Sequence, residues 1–342
     1  MVTTITAEQA LQEKEVLFLD TRTPKEFAED HLPNAINLPI LSNEERAVVG
    51  TTYKQVSQEK AIEQGIEFFS QKMPEFMKAI SQYKNEKLIV YCWRGGMRSR
   101  TVVALLESLG YHVQQLQGGY KAYREVVRQR LSSFQLKPTL ILLWGLTCTG
   151  KTQLLQLFRN SLDLEGLAQH RGSLYGAVGL QPRSQKMFEN LLWQRLEELN
   201  SEKYIIVEGE SRRIGDVMIP DFLWKTMING VHVKVTRNLD RRAEEAVKEY
   251  IRSDEDLQKI KEITASLSRV ISNQHKEEII TLLEQKKYAE GIKILLEYYY
   301  DPLYAHTLKK FVFVFELCND HLKEAATELR RRMDHFVLGI VN

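Results

Sequence analysis

Cysteine is scarce in this chain. Among its 342 residues only Cys92, Cys148 and Cys318 occur, at spacings that fit neither a disulfide framework nor a zinc site, so a reducing, cytoplasmic setting is expected. Long apolar runs are lacking as well. No stretch approaches the about 18 uninterrupted apolar residues of a membrane span, and the amino terminus is polar and acidic, so neither a span nor a secretory leader is expected. Charge of one sign is also missing: 47 Lys and Arg stand against 45 Asp and Glu, a formal net charge of +2. No global field therefore advertises nucleic acid, and an anionic partner has to be met by local basic faces. What remains is a chain long enough for about two domains, each with a sizeable core.

Against this background one stretch stands out, Tyr91-Cys92-Trp93-Arg94-Gly95-Gly96-Met97-Arg98. The apolar run Leu88-Ile89-Val90-Tyr91 reads as a short buried strand that stops at a cysteine, followed by paired glycines and two arginines. Gly95-Gly96 lets the backbone turn so that successive N–H groups point inward, a nest that attracts anions, while Arg94 and Arg98 add positive charge. With a helix expected from Ser99 onward, these surroundings favour the thiolate and make Cys92 a nucleophile. A packed structural cysteine would have no use for such neighbours.

Residues 1–137 alternate strand and helix. Residues 16–19 form a strand ending on Asp20, Pro24 opens a helix with Glu26 in its first turn, and His31-Leu32-Pro33-Asn34 turns into a short strand. After the cysteine loop come a helix through 102–106 ending at Gly110, then a strand over 113–116 before Gly118-Gly119-Tyr120. This alternation implies a parallel sheet with Cys92 at its carboxyl edge, where ligands bind. An insertion at about 40–86 carries apolar residues at helical spacing, from Ile66 and Phe68-Phe69 to Met77. Its aromatics read as core, and Tyr53-Lys54 is a weaker substrate-contact candidate. Lys121, Arg124, Arg128, Arg130 and Lys137 form a basic helical face, read as solvated surface with RNA phosphates as the rival.

The ordered set Asp20, Arg22, Glu26-Phe27, His31, Asn34-Ala35, Asn37 and Pro39, then Cys92 and its loop, then Leu116-Gln117-Gly118-Gly119-Tyr120, resembles a rhodanese domain. The resemblance implies a cysteine that carries sulfur or selenium as a persulfide or perselenide, with loop amides holding an anionic donor. One departure stands out: common sulfurtransferase loops place their cation nearer the cysteine than Arg98 lies to Cys92. The longer loop resembles the Cys-x5-Arg pattern of cysteine phosphatases. A wider pocket with room for a phosphate-bearing donor such as selenophosphate is implied, and phosphatase activity stays open.

A second segment, residues 138–342, opens with the buried strand Leu140-Ile141-Leu142-Leu143-Trp144. Gly145-Leu146-Thr147-Cys148-Thr149-Gly150-Lys151-Thr152 then matches the phosphate-loop pattern G-x-x-x-x-G-K-[ST] ahead of a helix. Amides of Gly145, Thr147 and Gly150 with the helix start would cradle a diphosphate, Lys151 would neutralise its oxygens, and Thr152 would hold Mg²⁺ if the ligand brings it. No tightly bound cofactor is expected, and Cys148 reads as a small loop filler. Asp163 with Glu165, and Glu208 with Glu210, put acids at strand ends where either pair could serve as the metal-side carboxylate. His170, Arg171, Arg212 and Arg213 are candidates to face an anionic ligand or tRNA.

A strand over 231–235 runs into Arg237, Arg241 and Arg242, resembling the basic lid of P-loop kinases. The rest reads as helices at 243–252, 257–271, 277–284, 288–298 and 320–336. They are interrupted by Tyr298-Tyr299-Tyr300-Asp301-Pro302-Leu303-Tyr304, aromatics expected in the core rather than on a base or an isoprenoid chain. Arg330-Arg331-Arg332 reads as solvated. The expected fold is α/β throughout: a rhodanese-like parallel-sheet domain, then a P-loop NTPase-like α/β domain with a helical C-terminal region.

This pairing, with His170-Arg171-Gly172-Ser173, Glu208-Gly209-Glu210-Ser211-Arg212, and Tyr299, Asp301-Pro302 and Tyr304 in order, resembles the tRNA 2-selenouridine synthase family over nearly the whole chain. The resemblance implies a transferase that replaces the sulfur of a wobble 2-thiouridine by selenium from selenophosphate. It proceeds by way of an S-geranylated intermediate made from geranyl diphosphate. It implies tRNA partners accepting Lys, Glu or Gln, and an enzyme that supplies selenophosphate. Cys92 would be catalytic, Arg94, Gly95, Gly96 and Arg98 would hold selenophosphate, and Gly145, Thr147, Gly150, Lys151 and Thr152 would hold the diphosphate. A nucleotide-driven enzyme hydrolysing ATP or GTP at the phosphate loop, and a tRNA-binding protein with an idle cysteine, are the rival readings.

Overall fold

The computed structural model describes residues 2–267 and 271–337 and divides into two units, Met1–Ser133 and Phe134–Asn342. In the first unit the order is β1 (Thr4–Ile5), α1 (Ala7–Ala10), β2 (Val16–Asp20), α2 (Pro24–Glu29), β3 (Ile36–Asn37), α3 (Asn43–Gln55), α4 (Gln58–Ile80), β4 (Lys87–Tyr91), α5 (Met97–Ser108), β5 (Val113–Leu116) and α6 (Gly119–Ser132). The strands form one parallel sheet in the order β1-β5-β4-β2-β3. Leu88 to Tyr91 of the central β4 are buried, as a strand covered on both faces requires, and Cys92 follows at its carboxyl edge.

Local chemistry sets the helix starts. Thr23 and Glu26 cap α2 reciprocally with Pro24 in the first turn, and Ser42 with Glu45 does the same for α3. The predicted helical insertion is real, and Phe69 and Phe76 of α4 meet edge to face at 5.4 Å in the core, while Tyr53 and Ile66 are exposed. Helix α3 was not legible in the sequence. It buries no residue fully, so no apolar stripe marks it. The basic face on α6 is narrower than its sequence indicates, because Arg124 turns inward and its Nε lies 3.7 Å from Asp30 Oδ2.

Beneath the carboxyl edge of this sheet lies a buried polar network. Arg22 Nη2 donates to Asp20 Oδ2 at 2.6 Å and to the Asp30 carbonyl at 2.7 Å, its Nε donates to Asp20 Oδ1 at 3.0 Å, and its guanidinium lies 3.9 Å over the Tyr120 ring. Tyr120 Oη in turn donates to Asp30 Oδ2 at 2.8 Å. Burial works against the Arg22 charge, yet the bond to Asp20 prevails and holds its pKa above the usual range. Removing one partner leaves the other charge stranded without solvent. Arg22→Ala is therefore expected to cost about 3–5 kcal/mol of stability. Chemical denaturation would check this, and an unchanged midpoint would remove the network from the fold's support.

The second unit runs β6 (Thr139–Trp144), α7 (Lys151–Leu155), β7 (Ser161–Leu162), α8 (Leu164–Ala168), α9 (Gln185–Leu199), β8 (Tyr204–Glu208), β9 (Arg213–Ile214), β10 (Val217–Met218), α10 (Asp221–Ile228), β11 (Val231–Thr236), α11 (Leu239–Tyr250), α12 (Asp254–Ser266), α13 (Asn273–Glu284), α14 (Tyr288–Leu295), α15 (Asp301–Leu308), β12 (Phe315–Cys318) and α16 (Leu322–Val337). Its main sheet is parallel in the order β12-β11-β6-β8-β7, with the phosphate-loop strand β6 at the centre; β9 and β10 form a small hairpin.

The helical C-terminal region also contains a strand, β12, which the reading of this region as helices did not include. It earns its place by pairing with β11 and burying Leu317. Of the expected helix 257–271, residues 257–266 lie in α12, and residues 268–270 lie outside those described. Tyr299 and Tyr300 are buried with Tyr175 and Tyr250 in one apolar cluster, the core role expected for them, whereas Tyr298 and Leu303 of the same stretch are exposed. Arg331 and Arg332 each pair with Glu328. Among the described residues no helix is long and apolar enough to cross a membrane.

Candidate functional site

Two sites emerge, one in each unit. In the first, Cys92 Sγ sits at the floor of the loop that joins β4 to α5, only 3% of the residue being exposed. The Gly96 N–H donates to Sγ at 3.3 Å and the Ser99 hydroxyl does so at 3.2 Å. Gln115 Nε2 donates to Ser99 Oγ at 2.9 Å and to the Gly95 carbonyl at 2.8 Å, and the Ser99 proton is shared between the sulfur and the Gly96 carbonyl at 3.3 Å. Two donors thus converge on one sulfur, an arrangement suited to charge that develops at that atom.

The loop keeps its shape through a second glycine turn. Tyr120 N–H donates to the Cys92 carbonyl at 2.8 Å and Lys121 N–H to the Trp93 carbonyl at 3.0 Å. Gly119 has φ +59°, and a Cβ there would fall 2.3 Å from the Cys92 carbonyl oxygen; Gly95, at φ +63°, backs onto the same turn. Gln117-Gly118-Gly119-Tyr120 is therefore a wall of the cysteine loop.

The two loop arginines differ. Arg94 is exposed, whereas Arg98 Nη1 donates to Glu26 Oε2 at 2.9 Å. Burial raises the Glu26 carboxyl, but the bond and charge of Arg98 outweigh it and hold its pKa below the usual range. Arg98 is thus oriented by the cap of α2 and reaches an anion only alongside a carboxylate. Ser99 and Gln115 were not singled out in the sequence, because their role depends on β5 lying beside β4.

In the second unit the phosphate loop joins β6 to α7. Lys151 folds back, its Nζ donating to the Gly145 carbonyl at 3.2 Å and to that of Leu146 at 3.5 Å. Helix α7 is one short turn and a half, so an anion in this loop would be met by the loop amides and Lys151 rather than by a long helix dipole. Cys148 adopts φ +61° and packs against the tyrosine cluster. Burial pushes its thiol well up, which suits a loop filler and not a second nucleophile.

Distant residues brace this loop. Arg242 Nε donates to the Thr147 carbonyl at 2.9 Å while its Nη1 and Nη2 grip Asp301 at 2.9 and 2.5 Å. Asn319 Nδ2 donates to the Thr149 carbonyl at 2.8 Å. Arg237 lies 3.6 Å from Glu245, and Arg241 donates to the Asp320 carbonyl at 2.5 Å. The stretch that resembles the basic lid of P-loop kinases is therefore tied down in this structure, because each arginine finds an acceptor on a neighbouring element. Asp301→Asn should weaken the charged bond behind the loop, lowering stability by about 1.5–3 kcal/mol and loosening diphosphate binding. Unfolding and diphosphate titrations on the same variant would check it, and two unchanged values would sink the bracing role.

Acids converge beside Lys151. Glu208, at the end of β8, accepts the Glu165 N–H at 2.7 Å through Oε1, while its Oε2 is buried without a hydrogen-bond partner among the described residues. Burial raises the carboxyls of Glu165, Glu208 and Glu210; Glu210 adds its charge to Glu165, and Asp163 adds its charge to Glu208. Asp163 itself caps α8 by accepting the Gly166 N–H at 2.7 Å, which makes it a structural cap and leaves Glu208 as the metal-side candidate. Among the described residues no group of three or more His, Cys, Asp or Glu is placed to hold a metal ion, so substrate oxygens would have to complete any cation shell.

The remaining candidates are scattered. His170 Nδ1 accepts the Gly172 N–H at 3.1 Å, and burial lowers its pKa, so a neutral ring presents Nε2 as donor. Arg171 is engaged within the protein: it donates to the Val178 and Glu249 carbonyls at 2.9 and 3.1 Å and lies over the Tyr250 ring. Arg212 pairs with Asp221 and Arg213 with Asp216 on the exposed hairpin.

Two family models match this chain. Residues 3–126 match the family model described as a rhodanese-like domain, and residues 138–266 match that of the tRNA 2-selenouridine synthase AAA domain. A protein named tRNA 2-selenouridine synthase from Nitrosomonas europaea is 38% identical over 244 residues, 68% of this chain and 63% of its own length. One of the same name from Chromohalobacter salexigens is 37% identical over 247 residues, 71% of this chain and 67% of that one. The chain thus spans just under two thirds of the first of these relatives. With a rhodanese-like unit ahead of a phosphate-loop unit, and relatives of one name aligned across both, this chain belongs to the tRNA 2-selenouridine synthase family.

Proposed function

We propose that the protein modifies tRNA, exchanging the sulfur of a wobble 2-thiouridine for selenium in two steps. In the first, the thiouridine sulfur attacks the carbon that bears the diphosphate of geranyl diphosphate. Inorganic diphosphate leaves, N3 gives up its proton, and the sulfur becomes alkylated. In the second, S-geranyl-2-thiouridine, selenophosphate and water give 2-selenouridine, geranylthiol and phosphate. The tRNAs that accept Lys, Glu or Gln and the cytoplasm belong to this reading, as does an enzyme that makes selenophosphate.

The phosphate loop, with Gly145, Thr147, Gly150, Lys151 and Thr152, serves the first step by holding the diphosphate, and Lys151 exchanges its loop carbonyls for the departing oxygens. Thr152 and the unpartnered Glu208 oxygen fit a divalent cation that arrives with the diphosphate, where it would offset the charge of the leaving group. Cys92, Arg94, Gly95, Gly96 and Arg98 serve the second step by engaging selenophosphate. Electron balance favours an exchange at carbon over a perselenide. Loading selenium onto a thiolate oxidises the sulfur–selenium pair by two electrons, and phosphorus would have to leave as phosphite, whereas the exchange needs no redox partner. The Cys92 thiolate then attacks phosphorus to free selenium from its phosphoryl group, and water releases phosphate from the cysteine.

The single observation that carries this reading is the donor set around Cys92 Sγ, from Gly96 and Ser99, in a chain that also holds a phosphate loop. It is tested by incubating the protein with thiolated tRNA, geranyl diphosphate and selenophosphate, singly and together, and weighing the wobble nucleoside by mass spectrometry. Geranylated and then selenated uridine is expected. An unchanged nucleoside with ATP or GTP hydrolysed would overturn the reading in favour of a nucleotide-driven enzyme.

A further inference from the structure

We propose that the cleft walled by α15, the segment 309–314 and the end of β11 holds the hydrocarbon chain of a diphosphate ester whose diphosphate lies in the phosphate loop. The inference rests on reading that loop as a diphosphate site. Two spaces adjoin the loop. The one beside Cys148 amounts to about 20 Å³, room for little more than a water molecule. The cleft measures about 580 Å³, within the range of ordinary small-molecule sites.

Its lining is apolar where a ligand would touch it. Ala305, Leu308, Phe311 and Phe313 form the wall, and Leu146 with Thr149 of the phosphate loop form the mouth, so a chain in the cleft is continuous with a phosphate in the loop. The segment alternates: Phe311 and Phe313 face the cleft while Val312 is 90% exposed. Phe311 is fixed by stacking on Trp144 at 4.1 Å between ring centres, which makes this wall a preformed one.

Among the described residues most polar side chains of the lining have partners, Lys309 and the buried Nε of Arg237 being exceptions. Lys234 pairs with Glu316 at 2.7 Å, Arg237 lies 3.6 Å from Glu245, Thr149 Oγ1 donates to the Leu146 carbonyl at 3.0 Å, and Thr236 Oγ1 to that of Leu317 at 3.5 Å. A nucleobase is selected by side chains that read its donor and acceptor edge, and the hydroxyls and Lys234 here are committed elsewhere, while an aliphatic chain asks only for apolar surface and volume. Arg237 stands at the junction, its Nη1 only 3.2 Å from where a Cβ on Gly150 would be, placed to meet the charge where chain and diphosphate join.

Isothermal titration of the full chain with inorganic diphosphate, dimethylallyl diphosphate, geranyl diphosphate and ATP tests this. Affinity should rise with chain length, geranyl diphosphate binding at least about tenfold tighter than inorganic diphosphate because carbon is buried. Leu308→Trp, which fills the cleft, should erase that gain while binding inorganic diphosphate normally, the latter showing that the variant folds. If Leu308→Trp loses inorganic diphosphate as well, Phe313→Asp at the rim takes its place with the same expectation. A gain that survives both substitutions overturns the cleft as the chain site. No gain in the unmodified protein, with geranylated nucleoside still formed, overturns the cleft and spares the proposed function. ATP binding more tightly than every other ligand overturns the ligand class and the diphosphate reading together.

Discussion

Cys92→Ser abolishes selenium incorporation and leaves geranyl transfer intact: that is the expected result if the two sites divide the chemistry. Serine is nearly isosteric and its oxygen can accept the same Gly96 and Ser99 hydrogens, so the loop should keep its shape. What is lost is the nucleophile, since an alkoxide is far harder to form at neutral pH than a thiolate. Removing a nucleophile that works in a unit with its donors costs about 10³-fold or more. The assay is mass spectrometry of tRNA nucleosides with both donors present, in which S-geranyl-2-thiouridine should accumulate. Selenated product at the unmodified rate would take Cys92 out of the reaction and leave the rhodanese-like unit a binding role.

Lys151→Ala should do the reverse. In the structure Lys151 bonds to carbonyls of its own loop, contacts that a diphosphate oxygen would replace. Charge that develops on the departing diphosphate is then stabilised by a fixed cation, and losing one such donor costs about 10²–10³-fold in rate. Geranylation should fall by that order, while tRNA supplied already geranylated should still be selenated. Normal geranylation in the variant would refute the diphosphate site. Loss of both steps, with the fold intact, would show that the sites are not independent.

Residues adjacent in the chain carried most of the readable signal. The strand that stops at Cys92, the paired glycines after it and the pattern Gly145 to Thr152 are contiguous, and each fell where the structure places it, at the carboxyl edge of a parallel sheet. What misled was orientation. Arg171 and Arg124 looked available for an anion, yet one holds loop carbonyls and the other meets Asp30. Arg242 looked like part of a lid and is instead the bolt between Asp301 and the phosphate loop. The short strand β12 also went unread, because its four residues become a strand only through the edge that β11 offers.

The sequence by itself determined the elements whose cause is local: caps such as Thr23 with Glu26, glycine turns, buried strands, and the two glycine-containing loops with their cysteine and lysine. Tertiary structure alone decided which charges are free to meet a ligand and where empty volume remains. Pairings such as Arg242 with Asp301, or Ser99 and Gln115 behind Cys92, join residues far apart in the chain. Whether a charge faces solvent or a partner depends on which elements pack together, and packing is a property of the folded whole that no run of neighbouring residues encodes.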